Sequence, residues 1–287
     1  MIRTALALIS ILICTPSYAK TIYTLQAAFD GVTEDSYEYQ ALSLALEKTV
    51  DEFGTYQLKV TSEAVPPSRY MVEANSGNYE NFIFANSVKK ESLHNFSHAN
   101  FPVLLGIIGY RVPLISKDLK ARGYSISSRN ELMTFSMIQG KGWLDTDILK
   151  DNGFKVHTGK YIEGLFHMVA NERGNFFPIG ASQINGALTN FSHVEGLTID
   201  EKILLYYPLP RFFFMGTEHQ NKIYRIEKGL ITAYEDGSLQ RLWQQHFNQA
   251  LVSVGISKRK LFKLRNKYID GIDNSYEKYV FDPFAKH

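Results

Sequence analysis

The chain has 287 residues, with 31 Lys and Arg against 29 Asp and Glu, and a single cysteine. So small an excess of positive charge argues against nucleic acid or an anionic membrane as the main partner. The length suffices for one large domain or two smaller ones, and 17 Tyr and 19 Phe serve a core or a ligand-stacking cleft equally well.

Met1-Ile2-Arg3 sets positive charge ahead of an apolar run from Ala5 to Cys14, and Ser17-Tyr18-Ala19 places small residues before Lys20. This is the pattern of a signal peptide over 1–19 cleaved after Ala19, and it is shorter than the roughly 20 apolar residues of a stable anchor. An N-terminal core helix is the plain alternative. Lipoprotein processing at Cys14 is disfavoured by Ile13, which stands where a small residue is required. The reading implies an exported, periplasmic protein. Cleavage would remove the only cysteine, which excludes disulfides, thiolate metal sites and a cysteine nucleophile.

Beyond the leader, short apolar runs alternate with helical patterns, the signature of an α/β architecture. Thr21 to Ala28 reads as a strand, Tyr39–Phe53 as a helix and Tyr56–Thr61 as a second strand. Ser68–Ala74 reads as a short helix, Phe82-Ile83-Phe84-Ala85 as a buried strand, and Leu104–Ser116 holds a long strand around Gly109-Tyr110-Arg111. A second series follows. A helix starts at Arg129–Leu132 behind Ser127 or Ser128, then come a strand at Phe135–Gln139, a helix at Asp145–Asn152 and a strand at Phe154–His157. Ile162–Asn171 reads as a helix and Asn175–Ile179 as a strand. Leu204 to Met215 returns through Tyr207-Pro208-Leu209-Pro210, whose prolines favour extended chain. Ile223, Ile226, Leu230 and Tyr234 recur at helical spacing up to the break at Asp236-Gly237-Ser238. Leu239, Leu242, Trp243 and Phe247 then form another amphipathic helix.

Two α/β sets, with the chain leaving one and returning to it, imply two lobes, two crossings and a cleft between them. The expected division is lobe 1 over 20–116, lobe 2 over 117–204, and a return to lobe 1 with a C-terminal tail over 205–287.

Several motifs in this order resemble those of periplasmic solute-binding proteins of the type II, amino-acid-binder-like (family 3) class. They are Gly109-Tyr110-Arg111-Val112-Pro113, Phe135-Ser136-Met137-Ile138-Gln139-Gly140, Glu172-Arg173-Gly174-Asn175-Phe176, and Ile226-Glu227-Lys228-Gly229-Leu230 with Asp236-Gly237-Ser238-Leu239. The resemblance implies a mixed sheet flanked by helices in each lobe, two crossovers at a hinge, and no enzymatic activity. The partners it implies are a small-molecule ligand and a membrane permease or membrane receptor, with the protein acting as a monomer. The chain departs from the family at three places. Asn86-Ser87-Val88-Lys89-Lys90-Glu91 stands for the usual Thr-x-x-Arg, Asn175 for an aspartate, and Gly180-Ala181-Ser182-Gln183 supplies no acid for a ligand ammonium. An ammonium without a counter-charge in a cleft is costly, so a standard α-amino acid is disfavoured.

The candidate ligand-binding residues follow from this frame. Arg111 lies in an otherwise apolar strand and needs a partner, either a ligand carboxylate held by two parallel bonds or an internal salt bridge across the hinge. Gln139, Gly140, Lys141 and Trp143 form a turn at a helix start, where backbone N–H groups favour an anion and the indole can wall the cleft. Asn86 and Ser87 would reach the cleft mouth or simply cap a helix. Asn175 and Phe176 hold the matching place in the other lobe, with a capped turn and a core aromatic as the alternative. Phe29 could add a wall after the first strand. The expected ligand is small, polar and anionic.

Three further features carry little. His94 and His98 read as surface histidines rather than metal ligands, so no metal or cofactor is expected. Gly180-Ala181-Ser182-Gln183-Ile184 lacks the second glycine of a nucleophile elbow. Six basic residues within Lys258–Lys267 read as a solvated face or as a docking patch for an acidic membrane partner.

Overall fold

The computed structural model describes residues 20–27, 34–66 and 69–285, so the leader and Phe29 lie outside it. The chain begins with β1 (Thr21–Ala27), α1 (Tyr37–Glu47), α2 (Val50–Phe53), β2 (Tyr56–Ala64), α3 (Tyr70–Ser76), β3 (Phe82–Ser87), α4 (Lys90–Asn95) and β4 (Ser97–His98). It continues through β5 (Tyr110–Ser116), α5 (Lys117–Arg122), α6 (Arg129–Met133), β6 (Met137–Gly140), α7 (Leu144–Asp151), β7 (Val156–Gly159), α8 (Ile162–Ala170), β8 (Phe177–Gly180) and α9 (Ile184–Asn190). It ends with β9 (Leu197–Ile199), β10 (Ile203–Tyr206), β11 (Arg211–Met215), α10 (Gln220–Glu235), α11 (Ser238–Ser253) and β12 (Lys260–Lys263). No helix of the described residues is long and apolar enough to cross a membrane.

One lobe is built on a sheet in the order β2-β1-β3-β11-β4. Its strands β1, β2 and β3 are parallel, as helical crossovers require, with β2 at the edge, and β11 enters antiparallel to β3 and β4. The alternation of side chains along a strand sorts its apolar runs onto two faces. Ile83, Ala85, Phe213 and Met215 face the helices α1, α10 and α11. Phe82, Phe84, Phe212 and Phe214 pack on the other side with Tyr70, Phe96 and Tyr276. Phe84 and Phe214 stack there at 5.4 Å, so much of the aromatic content builds core.

Two features dock the helices on this lobe. A Cβ on Gly229 would lie 2.0 Å from the Ala45 carbonyl oxygen, so α10 meets α1 backbone to backbone. Arg225, 2 % exposed, donates to Leu46 O at 3.2 Å and Gly54 O at 2.8 Å, tying α10 to the ends of α1 and α2. The predicted single helix over 39–53 is therefore two helices, broken around Thr49, whose hydroxyl turns back onto Ala45 and Leu46.

The other lobe is built on β12-β10-β5-β8, with β9 also on β5. A bridge from Met137 to Phe176 leads on to the parallel pair β6-β7. The last strand within the expected span 20–116 pairs with this sheet. Tyr110–Ser116 belongs wholly to the second sheet, and the 3₁₀ turn Ile107–Gly109 precedes it. At Gly109 the two crossing segments touch. Tyr207 N donates to Gly109 O at 3.2 Å, and a Cβ on Gly109 would sit 2.5 Å from Tyr207 O.

The C-terminal segment adds connections of its own. After α11, β12 pairs in parallel with β10, and the basic run Lys258–Lys267 becomes an edge strand with Arg259, Phe262, Leu264 and Asn266 turned inward. Arg259 meets Asp200 at 3.2 Å, with the two side chains 3 % and 0 % exposed. The chain then returns to the first lobe, where Phe281 N donates to Leu105 O at 2.9 Å and Tyr276 joins the Phe212 cluster. On the way, Leu264 N donates to Tyr206 O at 2.7 Å and Asn266 Nδ2 to Pro208 O at 2.9 Å, clasping the second crossing.

Candidate functional site

Two cavities flank the hinge and share Gln183. The first, about 400 Å³, lies between the lobes. The first lobe contributes Gln26 at the end of β1, Tyr37 and Glu38 at the start of α1, Arg211 at the start of β11 and His246 on α11. The second contributes Ser182 and Gln183. Gln26 is 2 % exposed, and its Oε1 has no hydrogen-bond partner among the described residues. Arg211 Nε is likewise buried without a hydrogen-bond partner among the described residues, and it stands 3.8 Å from Glu38 Oε1, too far for a hydrogen bond. The cavity thus presents an unmet acceptor, an unmet donor and a carboxylate–guanidinium pair that does not close on itself. Tyr37 donates its hydroxyl to Val103 O at 2.8 Å, and burial pushes its phenol well above the usual value.

The second cavity, about 590 Å³, lies within the second lobe beside Arg111. Arg111 is 8 % exposed, and its Nη2 meets Asp145 Oδ1 at 2.8 Å while its Nε donates to Tyr207 at 3.1 Å. Tyr207 in turn donates to Asp145 Oδ1. Burial, the largest single effect, would lower the Arg111 pKa, but Asp145 and Tyr207 together outweigh it and the net shift is upward. Burial raises the Tyr207 phenol well above its ordinary value, against the pull of Arg111, so it stays neutral. The arginine therefore has an internal counter-ion, the alternative that the apolar strand left open. Gly180 makes this packing possible, since a Cβ there would stand 2.6 Å from Gln183 Oε1 and 3.2 Å from Arg111 Nη1.

The remaining sequence candidates divide. Gln139, 1 % exposed, donates through Nε2 to Pro178 O at 2.8 Å, and its Oε1 is buried without a partner among the described residues. Trp143, 40 % exposed, lines the same cavity, and its indole covers Gly140 so closely that a Cβ there would lie 2.3 Å from the ring. The expected anion cradle at this helix start is thus occupied by the indole. Lys141 is exposed, and its N–H extends the β6-β7 pairing by donating to Gly159 O at 2.8 Å.

Like Gly140 and Lys141, the candidates Asn86, Ser87, Asn175 and Phe176 line neither cavity. Asn86 and Ser87 are strand residues paired with Phe212 and Arg211, and the Asn86 side chain bonds the Ser87 N–H rather than a helix or the cleft. Asn175 is a turn residue whose Oδ1 accepts from Ser136 N at 2.9 Å. Phe176 is fully buried against Phe135 and Tyr124, because β8 starts at Phe177, two residues later than expected. Phe29 lies outside the described residues. His94 and His98 fall on α4 and β4, His98 stacked on Phe212 at 6.1 Å, and no group of three His, Cys, Asp or Glu among the described residues is placed to hold a metal.

Sequence reasoning missed Asp145 and Tyr207 as the partners of Arg111, and Gln26, Glu38, Arg211 and His246 as cavity residues. One of them carried a signal. His246 stands seven residues after Leu239 and three after Trp243, a polar residue on the buried stripe of α11.

No protein-family model and no curated protein matches the chain. Among solved structures, it is similar to a probable amino-acid ABC transporter extracellular-binding protein from Bacillus subtilis. The TM-score is 0.56 at 12 % identity, covering 80 % of this chain and 99 % of that one. It is similar to a periplasmic His/Glu/Gln/Arg/opine family-binding protein from Silicibacter pomeroyi in complex with lysine, with TM-score 0.54, 12 % identity, and 80 % and 98 % coverage. A histidine kinase sensor domain with similarity to periplasmic binding proteins matches at TM-score 0.51 and 8 % identity, over 80 % of this chain and 96 % of that one. Two of these neighbours are described as binding proteins and the third as a sensor domain. The chain has the two-lobed fold of type II periplasmic binding proteins.

Proposed function

We propose that the protein is an exported solute-binding protein that captures a small polar molecule between its lobes and passes it to a membrane partner. The observation that carries this reading is the interlobe cavity, where Gln26 Oε1 and Arg211 Nε are buried without partners on one side and Ser182 and Gln183 face them from the other lobe. A solute that bonds both lobes has extra affinity for the closed arrangement and shifts the hinge population toward it. The charges favour a neutral or zwitterionic solute over the anion expected from Arg111, because Arg111 is paired with Asp145 and Arg211 faces Glu38. Likeness to a probable ABC transporter binding protein supports an importer as the partner, with the protein acting as a monomer. The sensor-domain likeness supports a second reading, a soluble sensory module for a membrane receptor.

A thermal-shift screen of amino acids, small peptides, amides and sugars on the purified protein tests the capture step. A true ligand raises the melting temperature with concentration and compacts the protein in small-angle scattering. Arg211→Ala should cut that response at least tenfold. Binding without compaction, or binding indifferent to Arg211, would reject the reading. Co-purification with permease subunits or with a receptor domain separates the two partners.

A further inference from the structure

Beyond the interlobe cavity, the space beside Arg111 has the makings of a pocket in its own right. Its volume, about 590 Å³, lies in the range of small-molecule sites. Trp143, Ile162, Phe166, Phe177 and Phe191 line it, and Trp143 and Ile162 remain 40 % and 51 % exposed at its edge. Among these apolar walls lies Gln139, 1 % exposed, with an orphaned Oε1. The amide cannot satisfy itself by flipping, because its Nε2 is committed to the Pro178 carbonyl, which accepts and cannot donate. The pocket therefore has a buried acceptor that wants a donor. Its two charged groups, Arg111 and Asp145, neutralise one another at 2.8 Å, so an ion entering here would meet no free counter-charge. Gly186 lines the same space and has nothing within 4 Å of where its Cβ would be, so its lack of a side chain keeps the cavity open.

We propose that this second-lobe cavity binds a neutral aromatic group carrying an N–H or O–H donor, seated between Trp143 and Phe191 with its donor toward Gln139. The group is either a ligand by itself or the apolar end of the solute held between the lobes.

The test titrates the purified protein with indole, phenol and benzamide, and with benzoate, L-glutamate and naphthalene as comparisons, by thermal shift and tryptophan fluorescence. Indole and phenol should bind at least tenfold more tightly than benzoate or glutamate. Gly186→Leu fills the space from a helix position where a side chain is sterically free. It should weaken indole at least tenfold without lowering the protein's own melting temperature. Gln139→Met keeps the bulk but removes the acceptor, and it should weaken indole more than naphthalene.

Carboxylates binding as well as the neutral aromatics would overturn the proposal. So would indole affinity unchanged in Gly186→Leu, or equal losses for indole and naphthalene in Gln139→Met. Small-angle scattering keeps this inference separate from capture between the lobes. A solute that compacts the protein while no neutral aromatic binds defeats only the second-lobe pocket. Aromatic binding lost in Gly186→Leu, with no solute causing compaction, defeats only the hinge reading.

Discussion

The guanidinium of Arg111 and the carboxylate of Asp145, 34 positions apart in the chain, lie 2.8 Å from one another beside the hinge, with Tyr207 bonded to both. Arg111 comes from the strand that enters the second sheet, Asp145 from the first turn of α7, and Tyr207 from the segment that returns. The trio thus ties together the segments on which any movement of the lobes turns.

Replacing Asp145 with Asn should leave Arg111 without its counter-ion. Truncating one partner of a fully buried pair costs about 3–5 kcal/mol. Asp145 keeps some solvent contact, so a loss of roughly 2–3 kcal/mol in urea unfolding is expected. The variant should also gain a salt-sensitive thermal shift with acetate that the parent lacks. Unaltered stability together with indifference to acetate would mean that the pair does not neutralise the arginine.

Asp200 and Arg259 fasten the C-terminal strand, and both side chains are almost fully enclosed. Asp200 also accepts from the backbone of Lys202 at 2.9 Å and Ile203 at 2.6 Å. Asp200→Ala should cost about 3–5 kcal/mol. Hydrogen exchange should show Lys260–Lys263 losing protection ahead of β5 and β8. Uniform loss across the second sheet would count against a local fastening.

Gly229→Ala and Gly164→Ala make a matched pair of helix substitutions. The first pushes a methyl group into the Ala45 carbonyl and should destabilise by about 1–3 kcal/mol. The second meets no atom within 4 Å and should gain up to about 1 kcal/mol from helix propensity. Melting temperatures moving in the same direction for both would contradict the close contact of α1 and α10.

Several exposed carboxylates sit below their ordinary pKa. Lys267 holds down Asp151, Arg122 and Ser116 hold down Glu172, and Lys48 and Ser238 hold down Asp236. A depressed folded-state pKa adds stability that is complete above the unfolded value and disappears as pH falls toward the folded one. The unfolded values are 3.8 for Asp and 4.5 for Glu, so stability should decline between about pH 5 and pH 3. The slope should flatten at about 1 M salt, where the Debye length is only about 3 Å. A melting temperature independent of pH across this window would remove these pairs from the account.

The strand β3 and the two long closing helices were legible because their apolar periods are strong and the break at Gly237 is local chemistry, whereas β10 and β11 read in the sequence only as one extended return over 204–215. The edge strand β12 was hidden, since Lys258, Lys260 and Lys263 mask the inward set of Phe262 and Leu264. Phe176 misled because the motif that placed it at the cleft does not say which way its ring turns, and the ring packs on Phe135 and Tyr124. Arg111 shows a different limit. An arginine in an apolar strand announces that it needs an anion, but whether the chain or a ligand supplies it depends on which helix start folds against that strand, and spacing along the sequence does not carry that information.

Because β12 arrives from helices of one lobe to complete the sheet of the other and then departs again, neither half can be cut out cleanly. A fragment spanning only Tyr110–Tyr206 would retain β10 but leave it as a bare edge, with Arg259 gone from its pocket at Asp200. Recombinant dissection should therefore yield sticky, unstable pieces. The tail that follows β12 packs on the opposite lobe from the strand it has just finished, with Phe281 held at Leu105.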